Sequence, residues 1–380
     1  MNKTQTNTTI PELVSGRYIP RDYDVFAGLD VDKKSIAVTF LDHYNQMRQI
    51  KMPYNPKQLM NYVRNNYPDK RVAFAYEAGP TGFGLYDAIS SQYLCIVASA
   101  SRIPIEPGNR VKTNRLDSQK ISETLRSGQL KPIHVPDGPY RELRHLGKLR
   151  DTFVQQSKAT KLRIKSLLLV NGIPFPGDEN KWTLDTISKL KELTYSKQCS
   201  EAIRFHLGRF ILSLEFFRSN IIETTRTIRA FCKHNEEIRK NIELLTSIPG
   251  IGSITASQLI ARIGNWRHLY RYDQIGSFIG LVPSESSTGD KINRGSITRM
   301  GNTSLRNKLI QCAWAAIRKD PQLNNFYNSV YNRNRNCYGA QKAITAVARK
   351  LTTRIYAVLT QQRKYEIRKI TDTKDSQNKS

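Results

Sequence analysis

One apolar stripe limits what this chain can become more than any other feature. Ile203, Leu207, Phe210, Leu214, Phe217, Ile221, Thr224, Ile228, Phe231, Asn235, Ile238, Ile242 and Leu245 follow one another in alternating steps of four and three. Eleven of the thirteen positions are apolar. A run of about six heptads is a coiled-coil seam. Upstream, residues 141–170 carry a second long helical pattern rich in Lys and Arg, which the NGIPFPG segment (171–177) stops. A shorter helix follows over 182–193. Two long helices joined by a loop pair within one chain as a hairpin or across two subunits. The length of the run and the absence of the usual caps favour the second, so a dimer is expected.

The rest of the chain is too long for one core. At 380 residues, two or three domains are expected. Sixty Lys and Arg against 32 acids give a formal charge of +28. That balance asks for a polyanionic partner, nucleic acid first and an anionic membrane second. No apolar run reaches the roughly 18–20 residues that span a bilayer. The polar N-terminus has no apolar core of a secretory signal. Five scattered cysteines, Cys95, Cys199, Cys232, Cys312 and Cys337, lack paired spacing. They read as reduced thiols in a cytoplasmic chain, not as a zinc site. No histidine lies near the serine loop described below, which argues against a Ser-His-Asp hydrolase.

Residues 24–140 alternate strands and helices. VFAGLDV, the DKKS turn and IAVTFLD read as an antiparallel hairpin. An amphipathic helix follows over 56–66, then a strand at 71–79, a helix beginning near Gly84, and a buried strand at 93–100. A proline-broken basic loop, 102–115, leads to a helix over 116–128. Asp30 and Glu77 each close an apolar strand, and Asp117 stands near a helix start. Carboxylates gathered from several elements suit a hard divalent ion such as magnesium, and paired ions suit phosphodiester chemistry. Asp30 as a cap of the DKKS turn is the plainer alternative.

Residues 244–264, LLTSIPGIGSITASQLIARIG, read as helix, turn, helix. This is a helix-hairpin-helix pattern, in which Gly250 and Gly252 let a phosphate approach backbone amides. Beyond it comes GLVPSESSTGDKINRGSITRMGNTSLRNK, with Ser286, Ser287 and Thr288 in a row. Gly289, Gly295 and Gly301 predict a loop over 283–303 feeding a helix near Asn302. Hydroxyls set among Lys291, Arg294, Arg299, Arg306 and Lys308 suit the handling of phosphate. A glycine-rich surface turn is the alternative. A last amphipathic helix covers 340–359.

GLDVDKKSIAV, AYEAGPTG, RVKTNRLDSQK, SIPGIGSITA, GLVPSESSTG and GSITRMGNTSLR resemble, in that order, the motifs of a bacterial insertion-sequence transposase family. It is family one hundred and ten, whose relatives include the Piv DNA invertases. The resemblance spans about residues 25–355. It implies an α/β plus all-α protein: a RuvC-like, ribonuclease-H-like domain over 24–140, coiled-coil helices over 141–245, and a helical transposase domain over 246–360. Residues 1–23 and 361–380 are expected as disordered ends. It further implies a magnesium-binding Asp-Glu-Asp-Asp set falling on Asp30, Glu77, Asn114 and Asp117. Here the third position departs from the pattern, since asparagine replaces aspartate. Ser287 falls on the nucleophile. The partners implied are donor and target DNA, a bridge RNA as guide, and a homodimer or homotetramer. Arg102, Arg110, Lys112 and Arg115 join the serine-loop cations as expected nucleic-acid contacts. Two other readings use the same residues: a structure-specific nuclease with water as nucleophile, and a nucleic-acid-binding protein without chemistry.

Overall fold

The computed structural model describes residues 18–99, 113–196, 199–286, 293–335 and 338–367. The chain divides into two compact units, Met1–Val135 and Pro136–Ser380.

The first unit is a five-stranded sheet with helices on both faces. Strands β1 (Val25–Val31), β2 (Ser35–Asp42) and β3 (Met47–Pro53) form an antiparallel meander. Strands β4 (Val72–Glu77) and β5 (Leu94–Ala98) add in parallel on the other side of β1, giving the order β3-β2-β1-β4-β5. The turn between β1 and β2 is closed through Asp32, whose amide donates to Ser35 O at 2.9 Å and whose carboxylate accepts from Lys33 N. Strand β3 is not evident in the sequence. It is a polar edge strand that buries only Met52 and carries Arg48 and Lys51, charges that discourage edge pairing.

Alternation along the strands builds two separate cores. Val25, Ala27, Leu29, Phe74 and Tyr76 pack on one face. Helices α1 (Pro56–Asn66) and α2 (Gly84–Ser90) supply Leu59, Val63, Leu85 and Ile89 to that core. Phe26, Ala73, Ala75, Ile96 and Ala98 point the other way, against Ile121 and Leu125 of α3 (Asn114–Arg126). Small residues floor this second face because α3 lies close. A Cβ on Gly28 would run into the backbone of Ser118 and Ser122. Two polar contacts pin the helix there: Ser122 Oγ donates to Phe26 O at 3.0 Å, and Thr39 Oγ1 shares a 2.8 Å bond with Ser118 Oγ.

The second unit is helical. Helix α4 (Gly138–Val170) packs along α6 (Glu201–His234), with α5 (Leu184–Leu193) between them in sequence. The seam expected over 203–245 therefore has a partner within its own chain. It is also not one helix. Asn235 adopts φ −101° and ψ 106°, ends α6 and starts α7 (Glu236–Thr246). The heptad phase survives the break because Ile238 and Leu245 are again buried. Each end of the α4–α6 hairpin has its own core. Ile164 and Leu168 meet Ile187, Leu190, Leu207 and Ile211 at one end. Tyr140, Leu143, Ile228 and Cys232 join the main core at the other.

That main core is completed by α8 (Ser253–Ile263), α9 (Gln274–Ile279), α10 (Thr303–Ala316), α11 (Pro321–Arg333) and α12 (Gly339–Gln361). A two-stranded ribbon, β6 (Pro283–Glu285) and β7 (Arg294–Ile297), stands between α9 and α10. Asp320 starts α11 by accepting from the amides of Gln322 and Leu323. Its Oδ2 also takes Arg354 Nη1 at 2.6 Å and the Tyr365 hydroxyl at 2.7 Å. Among the described residues no helix is long and apolar enough to cross a membrane.

Candidate functional site: an acidic sheet end and a clasped hydroxyl loop

In the first unit, strand parity decides which carboxylates can meet. Asp30 lies on the α3 side of β1, two residues beyond Gly28, and Glu77 lies on the same side of β4, two beyond Ala75. The parallel register pairs Gly28 with Ala75, and Leu29 with Tyr76. The next step along both strands brings Asp30 beside Glu77. Helix α3 runs against β1: Ser122 sits over Phe26 and Ser118 over Gly28. Towards its N-terminus come Asp117, next to Ser118, and Asn114, one turn beyond Ser118, at the end that carries Asp30. Asp30 and Asp117 are half-buried, while Glu77 and Asn114 are exposed.

The donor set is three carboxylates and one amide oxygen. Hard oxygen donors without sulfur or imidazole suit magnesium, manganese or calcium rather than zinc. In donor chemistry these residues fit the divalent ion that the motifs imply. Among the described residues, however, no three His, Cys, Asp or Glu side chains stand close enough to hold a metal ion as they are. The expected cluster is thus not preformed. Thr113 caps α3 by accepting from Leu116 N, which fixes the turn that carries Asn114 and Asp117. Arg115 donates to Gln49 on β3, so this expected phosphate contact ties α3 to the sheet edge. Arg102, Arg110 and Lys112 lie outside the described residues.

The second unit carries the hydroxyl loop. Ser287, Thr288 and Lys291 lie outside the described residues, but the frame around them is described. The expected loop over 283–303 is partly a ribbon. Pro283 pairs with Ile297 and Glu285 with Arg294, and Ser286 N donates to Asn293 O at 2.9 Å. Gly295 does not break this ribbon. It makes room for Ser284, whose Oγ donates to Ser296 O at 3.1 Å. Below the ribbon the two stems cross. Thr298 N donates to Val282 O at 2.9 Å and Asn302 N to Phe278 O at 3.3 Å. Gly280 (φ +75°) and Gly301 (φ +133°) permit that approach, since a Cβ on either would strike backbone carbonyls of the opposite stem.

Arg306 is the clasp. It is buried, and its Nη1 donates to Ile279 O at 3.0 Å on one stem and Arg299 O at 3.2 Å on the other. Nη2 reaches Thr303 Oγ1 at 3.1 Å. Its charge faces inward, although its place in a basic loop suggested a nucleic-acid contact. Arg306→Ala is expected to orphan these carbonyls, at a cost of about 1–3 kcal/mol each. Faster amide hydrogen exchange at Thr298 and Asn302 would register the loosening. Exchange rates equal to the wild type there would exclude the clasp.

The remaining expected contacts divide in two. Lys308 Nζ is held by Asp151 Oδ2 of α4 at 2.6 Å, with Ser304 Oγ at 2.9 Å. Burial alone would raise the Asp151 carboxyl. Bonds from Lys308, Gln258 and Ser304 outweigh it and keep the group below the usual carboxylate range. Arg299 is exposed, with φ +54°. The two hairpin glycines also differ. Gly250 (φ +88°) lies where a Cβ would meet the backbone of Cys312 in α10, so internal packing alone requires glycine there. Gly252 caps α8 with open space around it, leaving that helix start approachable. Sequence reading missed the seat at Gly28 and the clasp at Arg306. A lone glycine inside an apolar strand is the signal for the first.

Comparisons with known proteins cover both units. A family model described as "Transposase IS116/IS110/IS902 family" matches residues 242–328. A second, for a DEDD-type transposase, matches residues 27–171. A protein named "Putative transposase y4qE" from Sinorhizobium fredii is 30% identical over 310 residues, covering 80% of this chain and 75% of that one. The transposase for insertion sequence element IS1111A from Coxiella burnetii is 26% identical over 260 residues, 67% of this chain and 68% of its own. A pilin gene-inverting protein from Moraxella bovis is 24% identical over 201 residues, 51% of this chain and 62% of its own.

Proposed function

This chain belongs to the IS110/IS116/IS902 family of transposases, and from that premise we propose that it cuts and rejoins the DNA of an insertion sequence through Ser287. The first unit is read as RuvC-like, with Asp30, Glu77 and Asp117 as magnesium ligands and Asn114 as a weaker fourth. When bound, the ion would sharpen an attacking oxygen and offset charge on a leaving one. Ser287 Oγ attacks phosphorus, and its bond to phosphorus forms as the bond to the leaving strand breaks. The leaving oxygen ends protonated. Reversal of that step with a second strand end rejoins the DNA, so no high-energy cofactor is needed.

The chain's own residues hold the reactants. The ribbon and the Arg306 clasp hold together the two stems that flank the hydroxyl segment. Arg299 and the approachable start of α8 at Gly252, in a helix-hairpin-helix role, receive phosphates. The +28 charge suits a protein that binds DNA and a guide RNA through their backbones while base pairing supplies the sequence reading. In this reading the acids of one subunit serve the serine of another within a dimer or tetramer in the bacterial cytoplasm, and hairpin surfaces pair subunits as a coiled coil.

One observation carries the proposal. Three carboxylates far apart in sequence sit on elements whose ends converge through the close seat of α3 at Gly28. A nicked suicide DNA incubated with the protein and magnesium tests it. Protease digestion and mass spectrometry should find DNA linked to the peptide containing Ser287. Cleaved DNA with no linked peptide would mean that water is the nucleophile and the chain is a nuclease. A link at another residue would move the nucleophile.

A further inference from the structure

Three aromatic side chains share an outer face of the second unit. Trp314 on α10 lies against Tyr327 on α11, with ring centroids 5.8 Å apart. Tyr327 in turn stacks on Tyr331 at 6.0 Å, their planes 6° apart. Trp314 remains 40% exposed and Tyr331 39%. Helix α11 buries only Leu323, so it lies on the surface and holds this stack outward. Tyr327 is half-buried against the main core, and the rings on either side of it, Trp314 and Tyr331, stay open to water. Exposed Asn324 and Asn328 stand on the same helix, one three residues before Tyr327 and the other three before Tyr331.

The charge along these helices has one sign. From Lys291 to Tyr365 the sequence holds a single carboxylate, Asp320. Asp320 is buried and paired with Arg354 at 2.6 Å. Arg333 and Arg335 are exposed at the end of α11. Lys350 Nζ sits 4.3 Å from the centroid of the Phe326 ring, one residue from Tyr327. Nothing anionic on these helices opposes a phosphate backbone.

We propose that this face binds unpaired nucleotides, with bases stacked on Tyr331 and Trp314 and phosphates drawn by the uncompensated positive charge of these helices. The proposal rests on the transposase reading and adds where an opened strand is held. Flat rings accept any base, because every base has a π face. Bases inside a duplex are already stacked, so the face distinguishes open strands from closed ones. The amides of Asn324 and Asn328 give base edges a neutral partner beside the rings.

Fluorescence anisotropy of the full chain with labelled twelve-nucleotide DNA, the same sequence as RNA, and a closed DNA hairpin tests this. Tyr331→Leu keeps apolar bulk without a flat face, and Tyr331→Phe keeps the face. Single-strand affinity should fall about five- to 150-fold in Tyr331→Leu, the loss of one stacked base, and stay near wild type in Tyr331→Phe. Hairpin affinity should be unchanged in both. The DNA and RNA arms show which strand is preferred, and either preference supports the face. Equal single-strand binding by wild type and Tyr331→Leu would overturn the platform and leave the transposase reading intact. So would a change in oligomer mass in Tyr331→Leu without nucleic acid, which would make the face a protein contact. Failure of the wild type to bind any of the three probes would overturn both.

Discussion

Asp30→Ala is expected to lower magnesium-supported strand cleavage by at least about a thousandfold while the melting curve of the protein stays at its wild-type position. A metal-bound oxygen gains several kcal/mol of charge stabilisation. At about 1.4 kcal/mol per decade, losing the ion's anchor removes roughly three decades of rate. Asp30 is half-buried at the end of β1, outside both cores of the first unit. Its carboxylate can therefore be removed without opening a cavity in either. Single-turnover cleavage of end-labelled DNA beside a melting curve separates the two effects. Asp30→Asn keeps the shape and an oxygen donor but loses charge, and should fall between wild type and Asp30→Ala. Cleavage by Asp30→Ala within tenfold of wild type would remove Asp30 from the ligand set.

Asp320→Ala should have the largest effect on stability, roughly 3–5 kcal/mol, as for other buried ion pairs broken on one side. The side chain of Asp320 is fully buried and that of Arg354 is 11% exposed. Alanine would take the carboxylate away from the buried guanidinium, strip the N-cap from α11 and remove the acceptor of the Tyr365 hydroxyl. Burial alone would raise this carboxyl. Tyr365, Arg354 and the Leu323 amide outweigh it, so it titrates below its ordinary range. The sign for acid follows. The folded value lies below the unfolded one, so the stability from this group is complete above about pH 4. It is lost as pH falls through the folded value. Urea unfolding at neutral and acid pH checks both statements. A loss of under about 1 kcal/mol in Asp320→Ala would show that water reaches the site, since surface ion pairs are worth no more than that.

How much of this was legible in the sequence depends on what each element buries. Strands β1, β2, β4 and β5 and helix α1 announce themselves because their apolar positions face a core. Strand β3 and helix α11 do not, because each buries one large side chain, Met52 and Leu323. The stripe over 203–245 was legible as helix, but its break at Asn235 was not. A polar residue at a seam position and a helix end look alike when α7 keeps the phase. In the site, Asp30 and Glu77 stood out as carboxylates closing apolar strands. Their adjacency depends on a parallel register that no local pattern encodes. Arg306 read as a phosphate contact from the company it keeps. Only the carbonyls of Ile279 and Arg299 around its guanidinium show that it works inside the fold.

The α4–α6 pair has the dimensions of a lever arm. Between Tyr140 in the main core and Leu168 in the distal one, α4 rises about 42 Å at 1.5 Å per residue. A ten-degree pivot at the near end would swing the far end by about 7 Å. Gly147 and Thr160 are the fully buried residues between Leu143 and Ile164, and Phe153 meets Phe216 and Phe217 of α6 between them, so the arm is braced along its middle. A force applied where Leu162 and Phe205 meet solvent would act with full mechanical advantage on the fulcrum at Leu143 and Ile228.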